Sequence, residues 1–319
     1  MASTQSRRAV TVNQGPPNHV PSTHVPSDGD PFKHAPLNYN GQVILLFEGG
    51  GAIGAYQVGV YQALHEWGIE PDWIVGTSIG AVNAALIVGN KREHRLDRLK
   101  DFWERIQQPA QWGQGLVPGS QTVASLMTIT NGISGFFEPN LMAVANPQAI
   151  IGTEQAGFYS TEPLLNTLDM LVDVTLLQQG TQPRISLGTV NVGSGQMRYF
   201  DSDHEPIDLA TVMASCALPP AFPAVMVDGQ AYWDGGVFSN TPFEVVMNQM
   251  PRRDSLIFAA HLWHSEGTDA GQCLGSHWSQ QGNSVCEPGR QLCRGRAQAT
   301  SITACDHRTR CAVTCCCPD

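Results

Sequence analysis

Stretches with a clear hydrophobic rhythm alternate along this chain with stretches that have none. The first rhythmic stretch starts at Gln42, where Val43-Ile44-Leu45-Leu46-Phe47 is continuously apolar. An apolar run without alternation predicts a strand covered on both faces, as in a parallel sheet. Gly49-Gly50-Gly51 follows at once, and Ile53, Tyr56, Val60, Leu64 and Trp67 then recur every three or four positions. That spacing predicts one face of a helix ending near Gly68. The unit repeats: Trp73-Ile74-Val75 predicts a short strand, Gly76 to Gly80 a tight turn, and Ala81 to Val88 a helix of small residues. Strand, glycine turn and helix twice in succession predict an α/β fold with a mostly parallel central sheet flanked by helices.

The later pattern is less regular. Phe102, Trp103 and Ile106 form an apolar stripe within the charged residues 91–110, as expected of a surface helix. Residues 111–160 mix Gly, Pro and Asn with apolar pairs and read either as a cap over a site or as irregular core. Leu164, Leu165, Leu168, Leu171 and Val172 predict another amphipathic helix, with Ser160 and Thr161 as candidate caps. Ile185 to Val192 reads as a strand, Ala224 to Trp233 as a hairpin around Asp228-Gly229, and Leu256 to Ala260 as a last core strand. Residues 1–40, rich in Pro, Ser, Asn and His, read as a flexible leader, and residues 41–262 as the folded domain.

Composition narrows the function classes. With 42% hydrophobic and 14% charged residues, the chain can bury a sizeable core. A net charge of −10 argues against a nucleic-acid partner but leaves a neutral lipid or ester open. Arg7 and Arg8 are followed by no apolar h-region, and the weakly polar stretch Ile74 to Gly89 is too short to span a bilayer. The expectation is a soluble, cytoplasmic protein, at most peripheral to a membrane. Cys216 is the single cysteine before Cys273, which excludes a disulfide framework across the domain and favours a reducing compartment.

The strongest chemical signal is Gly76-Thr77-Ser78-Ile79-Gly80. A G-x-S-x-G between strand and helix places the serine at the apex of a strained turn, with its hydroxyl projecting outward and the flanking glycines allowing close packing. A nucleophilic serine also needs oxyanion donors and a base. Gly49-Gly50-Gly51-Ala52-Ile53-Gly54 offers backbone N–H groups between a strand and a helix. The same string matches G-x-G-x-x-G, but a dinucleotide site wants an acidic residue at the end of the second strand, and Asp72 precedes that strand. For the base, His261 and His264 follow the last core strand, and a Ser-His-Asp arrangement is one candidate. The other is Asp234, which leaves a strand ahead of Gly235-Gly236 and could accept the serine proton directly if burial raised its pKa. Asp228 has a turn role with Gly229 instead.

Taken in order and spacing, Gly49 to Gly54, Gly76 to Gly80 and Asp234-Gly235-Gly236 resemble the three signatures of the patatin-like phospholipases, over about residues 43–260. Ala214-Ser215-Cys216-Ala217-Leu218-Pro219-Pro220 also looks like a family segment, which makes Cys216 a packing residue. The resemblance implies a patatin-like layered fold and hydrolysis of acyl esters in phospholipids or other lipids, without metal or cofactor, with at most transient membrane-surface contact. It implies a Ser-Asp dyad of Ser78 and Asp234 without histidine. Gly49, Gly50 and Gly51 would form the oxyanion loop, and Gly54, Gly76, Gly80, Gly235 and Gly236 would complete the motifs. Many members carry Arg or Lys where this chain has Ile53. Two alternatives stand beside it: a Ser-His-Asp lipase, and a catalytically dead acyl-lipid binding protein.

Residues 263–319 are anomalous. They hold eight of the nine cysteines, and from about Ala270 no helix or strand period is legible. One expectation is that this tail is translated out of frame; the other is a metal-binding tail through Cys311, Cys315, Cys316 and Cys317.

Overall fold

The apolar run after Gln42 forms strand β1 (Gln42–Phe47), and its side chains divide between two cores. Val43, Leu45 and Phe47 enter the larger core with Leu64, Leu86 and Phe102. Ile44 and Leu46 enter a smaller one with Trp73, Val75, Val246 and Ile257. A strand with both faces covered has no place for a polar residue, hence the unbroken run. The computed structural model describes residues 39–107, 131–145, 152–179, 183–262, 302–306 and 310–314. By contact the chain divides into Met1–Ala35 and Pro36–Asp319, and all described residues lie in the second unit. The leader expected over residues 1–40 falls almost wholly outside the described residues.

β1 lies between β2 (Trp73–Thr77) and β9 (Ser255–Ala260), parallel to both. β2 in turn pairs in parallel with β5 (Arg184–Asn191). Around this parallel centre stand antiparallel strands: β6 (Met197–Asp201) on β5, and the hairpin of β7 (Val225–Val227) and β8 (Gln230–Asp234). The expected α/β class with a mostly parallel centre is thus observed. Helices α1 (Ala55–Glu66), α2 (Ile79–Val88) and α3 (Arg95–Ile106) contribute to the larger core. Every residue of α2 is buried, as its small-residue composition suggests.

The pairing of β5 determines where the site forms. Residues 186–188 pair with both β2 and β6, so both of their edges are occupied. Thr189 and Val190 pair with both β6 and β8. β2 and β8 therefore share one edge of β5, end to end. Thr77 pairs with Gly188 and Asp234 with Thr189, so the two strands run toward each other and meet one register position apart.

Several elements depart from the sequence reading. In α1 the buried face is Gln57, Val60, Tyr61 and Leu64, whereas Ile53, Tyr56 and Trp67 are partly exposed. Gln57 faces inward because its amide donates to the Glu48 carbonyl at 2.7 Å and accepts from Asn83 at 2.8 Å. Helix α7 (Leu209–Ser215) and strand β6 were not legible, since each is short and draws its stability from tertiary pairing. Of the candidate caps for the helix at Glu162–Leu171, the Ser160 hydroxyl accepts the Glu162 N–H at 3.2 Å and Thr161 makes no side-chain cap bond. Backbone strands also occur at Ile302–Asp306 and Arg310–Thr314, the first pairing antiparallel with β9. Pairing on an existing sheet edge needs no side-chain period, so the tail sequence carried no sign of it. The segment read as a cap is described only in part. There Tyr159 N–H donates to the Ala221 carbonyl at 2.9 Å, and Phe137, Tyr159 and Phe222 form an aromatic cluster on the loop after α7. Among the described residues, no helix is long and apolar enough to cross a membrane.

Arg184, at the start of β5, grips Asp201 at the end of β6 with two bonds of 2.7 and 2.6 Å and stacks over Trp73 at 4.1 Å. Burial alone pushes the Asp201 carboxyl up, but the bonds from Arg184 and Ser186 more than offset it and hold it below the usual carboxylate range. Asp201→Asn leaves Arg184 buried against a neutral amide, and the expected cost is about 3 kcal/mol. The carboxylate's contribution is present above the ordinary aspartate pKa and disappears as pH falls through the lowered value. Urea unfolding should therefore show a wild-type advantage at neutral pH that shrinks in acid; a difference below about 0.5 kcal/mol at neutral pH would mean the pair does not stabilise the fold.

Candidate active site

Ser78 stands between β2 and α2 with φ 56° and ψ −127°. A non-glycine residue in that conformation is strained and must be held by its surroundings. Two contacts from a distant segment hold it. Its N–H donates to Ser215 Oγ at 3.1 Å, and that hydroxyl donates in turn to the Gly188 carbonyl at 2.7 Å. The Cys216 thiol donates to the Ser78 carbonyl at 3.1 Å. The glycines of the turn are required by space: a Cβ on Gly76 would lie 2.5 Å from the Gly80 carbonyl oxygen, and one on Gly80 2.3 Å from that of Phe47. The N-terminus of α2 begins at Ile79, so its positive end faces the serine.

Asp234 ends β8 on the other side of the junction, with 1% of its surface exposed. Its N–H donates to the Ala217 carbonyl at 3.0 Å, so Ser215, Cys216 and Ala217 in succession hold both Ser78 and Asp234. Its Oδ1 accepts the Gly236 N–H at 2.7 Å. The Ser78 side chain lies near enough to the carboxylate to favour its ionised form. Burial raises the carboxyl from 3.8 to about 6, against the opposing pull of the Ser78 side chain and the Gly236 N–H. Gly235 is needed because a Cβ there would lie 2.6 Å from the Gly188 carbonyl oxygen. Burial, followed by the Asp234 charge, pushes the Cys216 thiol well up. A thiol that stays protonated is a packing and hydrogen-bonding group here, as the sequence suggested. Asp228 lies in the exposed turn of the β7–β8 hairpin, where φ of 49° at Asp228 and 74° at Gly229 matches a type I′ turn.

The glycine loop faces the same junction. The 3₁₀ turn Gly51–Gly54 begins with the Ile53 N–H bonded to the Gly50 carbonyl at 3.3 Å, so the N–H groups of Gly50 and Gly51 precede its first bond. A Cβ on Gly49 would lie 2.9 Å from Ser78 Cβ, and one on Gly54 2.7 Å from Ile79 Cγ2, which places the loop against the serine turn. Behind it, Trp103, Asn83, Gln57 and the Glu48 carbonyl form a buried hydrogen-bonded chain. Glu48 itself is buried, accepting from Thr241 Oγ1 at 2.5 Å and from the Leu262 N–H. Asn240 Nδ2 donates to the Gly49 carbonyl at 2.9 Å.

Glu48, Asn240 and Thr241 escaped sequence reasoning, and Ser215 entered it only as part of the segment Ala214 to Pro220, without a role. Of the first three, Glu48 alone left a signal, as an acidic residue closing an apolar run. His261 lies at the end of β9, 3.7 Å from Glu48 and stacked on Phe243 with ring centroids 6.2 Å apart. His264 lies outside the described residues. Asp72 sits at the opposite end of β2, where its carboxylate accepts the Val43 N–H at 2.8 Å. A cavity of about 840 Å³ bordered by Glu154, Arg198 and Tyr232 touches neither Ser78 nor Asp234. Among the described residues, no group of three His, Cys, Asp or Glu is placed to hold a metal. The side chains of Cys311 and Cys315 to Cys317 lie outside them.

A family model described as patatin-like phospholipase matches residues 45–247. An uncharacterized NTE family protein of Mycobacterium bovis is 27% identical over 201 residues, 63% of this chain and 44% of that protein. Patatin-like phospholipase domain-containing protein 7 of Mus musculus is 25% identical over 237 residues, 74% of this chain and 15% of that protein. Lysophospholipase nte1 of Aspergillus terreus is 62% identical over 42 residues, 13% of this chain and 3% of that protein. The chain thus spans less than half the length of each of these relatives.

Because folding raises the Asp234 pKa, the native state holds this proton more tightly than the unfolded chain does. Stability therefore falls as pH rises from 3.8 to about 6 and stays lower above that. A shift of about two units corresponds to about 3 kcal/mol. Asp234→Asn should gain about that much over wild type at about pH 8 and much less at about pH 4, read by urea unfolding. An equal difference at both pH values would show that the carboxyl is not raised.

Proposed function

This chain belongs to the patatin-like phospholipase family, and we propose that it hydrolyses carboxylic esters of lipids with Ser78 as nucleophile and Asp234 as general base. The observation that carries this reading is the head-to-head meeting of β2 and β8, which sets Ser78 beside a buried Asp234 carboxyl raised to about 6. Asp234 takes the Ser78 proton as Oγ attacks the acyl carbonyl. The electron pair moves onto the carbonyl oxygen, which the N–H groups of the Gly49–Gly51 loop stabilise. Collapse of that intermediate breaks the ester C–O bond, and the protonated Asp234 returns its proton to the leaving alcohol. Water, deprotonated by the same aspartate, attacks the acyl-serine, and the fatty acid and free Ser78 are released. A carboxyl at about 6 suits both halves, since it is ionised at neutral pH yet basic enough to take a proton.

The substrate class follows from the family and from the lysophospholipase name of one relative. Exposed apolar side chains near the motifs, such as Ile53, Leu218, Val237 and Phe238, support a substrate with acyl chains and a brief contact with a lipid surface. The Ser-His-Asp alternative draws no support from His261, whose charged neighbour is Glu48 rather than Asp234.

Ser78→Ala and Asp234→Ala should each lower kcat/KM on a phospholipid or p-nitrophenyl ester by about 10⁴-fold with the fold retained. Near-wild-type turnover in either would refute the dyad. In the wild type, kcat/KM should rise about tenfold per pH unit in acid and level off above about pH 6, because the base must be ionised. A profile flat between about pH 5 and 8 would remove Asp234 as the base. His261→Ala should keep activity within about threefold of wild type; a collapse to the level of Ser78→Ala would favour the histidine mechanism.

A further inference from the structure

The segment after Asp234-Gly235-Gly236 returns to the glycine loop and binds it at two successive residues. Asn240 Nδ2 donates to the Gly49 carbonyl at 2.9 Å, and Thr241 Oγ1 donates to Glu48 Oε2 at 2.5 Å. The amide of Asn240 fills the gap between the two motifs. A Cβ on Gly49 would lie 2.5 Å from Asn240 Oδ1, and one on Gly236 3.2 Å from it. The other Glu48 oxygen takes the Leu262 N–H, and Leu262 Cδ1 would lie 2.6 Å from a Cβ on Gly50. The loop is therefore gripped on its carbonyl side by groups that are neither nucleophile nor base.

The Gly49 carbonyl and the Gly50 N–H belong to one planar trans peptide and point in opposite directions. Fixing the carbonyl on Asn240 fixes the N–H away from it. Without that bond, a loop of three consecutive glycines has little of its own to fix the peptide's orientation. We propose that Asn240 is a positioning residue for ester hydrolysis, holding the Gly49–Gly50 peptide so that the Gly50 N–H is pre-aimed at the oxyanion. Thr241 and Glu48 anchor the same loop one residue earlier. This inference rests on the reading of Ser78 and the glycine loop given above.

The test compares wild type, Asn240→Ala and the near-isosteric Asn240→Leu on a soluble p-nitrophenyl butyrate substrate. Inhibition by an alkyl trifluoromethyl ketone, which forms an oxyanion adduct on Ser78, is measured beside it. The expected result is a fall in kcat of about 100-fold, in the range of a misplaced catalytic group, with KM within about threefold. The ketone should weaken by the same factor as kcat, and the acid midpoint of the pH profile should stay where it is in wild type. Unchanged kcat in a folded variant overturns the proposal. So does a fall in kcat that moves the pH midpoint but leaves ketone affinity intact, because Asn240 would then act on Asp234. Failure of both variants to fold also overturns it, since a donor that only aims a loop peptide is not required for folding. Ser78→Ala is run in parallel. If it retains activity, the reading of the site fails; if it is dead while the Asn240 variants match wild type, only the inference on Asn240 fails.

Discussion

One edge of a single strand organises this molecule. β5 is long enough to pair with β2 along its first residues and with β8 along its last, on the same side. The ends of two strands from distant parts of the sequence are thereby brought head to head, Thr77 against Gly188 and Asp234 against Thr189. Backbone hydrogen bonds set this register, and a slip of one residue would turn every side chain to the other face. Ser78 and Asp234 thus inherit their separation from the sheet, not from flexible side chains reaching across a cleft.

That junction stores two unfavourable terms that the surroundings must offset. The Ser78 backbone lies outside the ordinary regions, and a carboxylate is buried with few donors around it. Both are held by the last residue of α7 and the two residues beyond it: Ser215 and Cys216 take the two sides of the Ser78 backbone, and Ala217 takes the Asp234 N–H. The surrounding glycines share one physical origin. At Gly76, Gly80 and Gly235 a side chain would collide with a backbone carbonyl of the neighbouring segment, so these positions bring main chains into contact.

The polar residues behind the glycine loop do a different job. Gln57 and Asn83 support the loop through the Glu48 and Gly54 carbonyls, and Trp103 supports Asn83. A satisfied buried network of this kind favours one arrangement, since any shift strands a polar group away from water. It also explains why α1 turns Gln57 inward and leaves Ile53 and Tyr56 at the surface near the loop.

The sequence by itself determined the elements whose side chains carry their own period or run: β1, α1, β2, α2, β5, the β7–β8 hairpin and β9. It also determined the two local motifs at Ser78 and Gly49–Gly54, because a turn packed tightly between a strand and a helix admits few residues. It placed Asp234 at a strand end ahead of two glycines, and burial in the fold raised its carboxyl. Only the tertiary structure decided that His261 turns to Glu48, that Ser215 and Cys216 hold the serine backbone, and that Asn240 and Thr241 bind the glycine loop. These pairings join residues 137 or more positions apart. They satisfy individual backbone groups and have no repeat, and a sequence read by period and local motif carries no trace of them until the strands are in register.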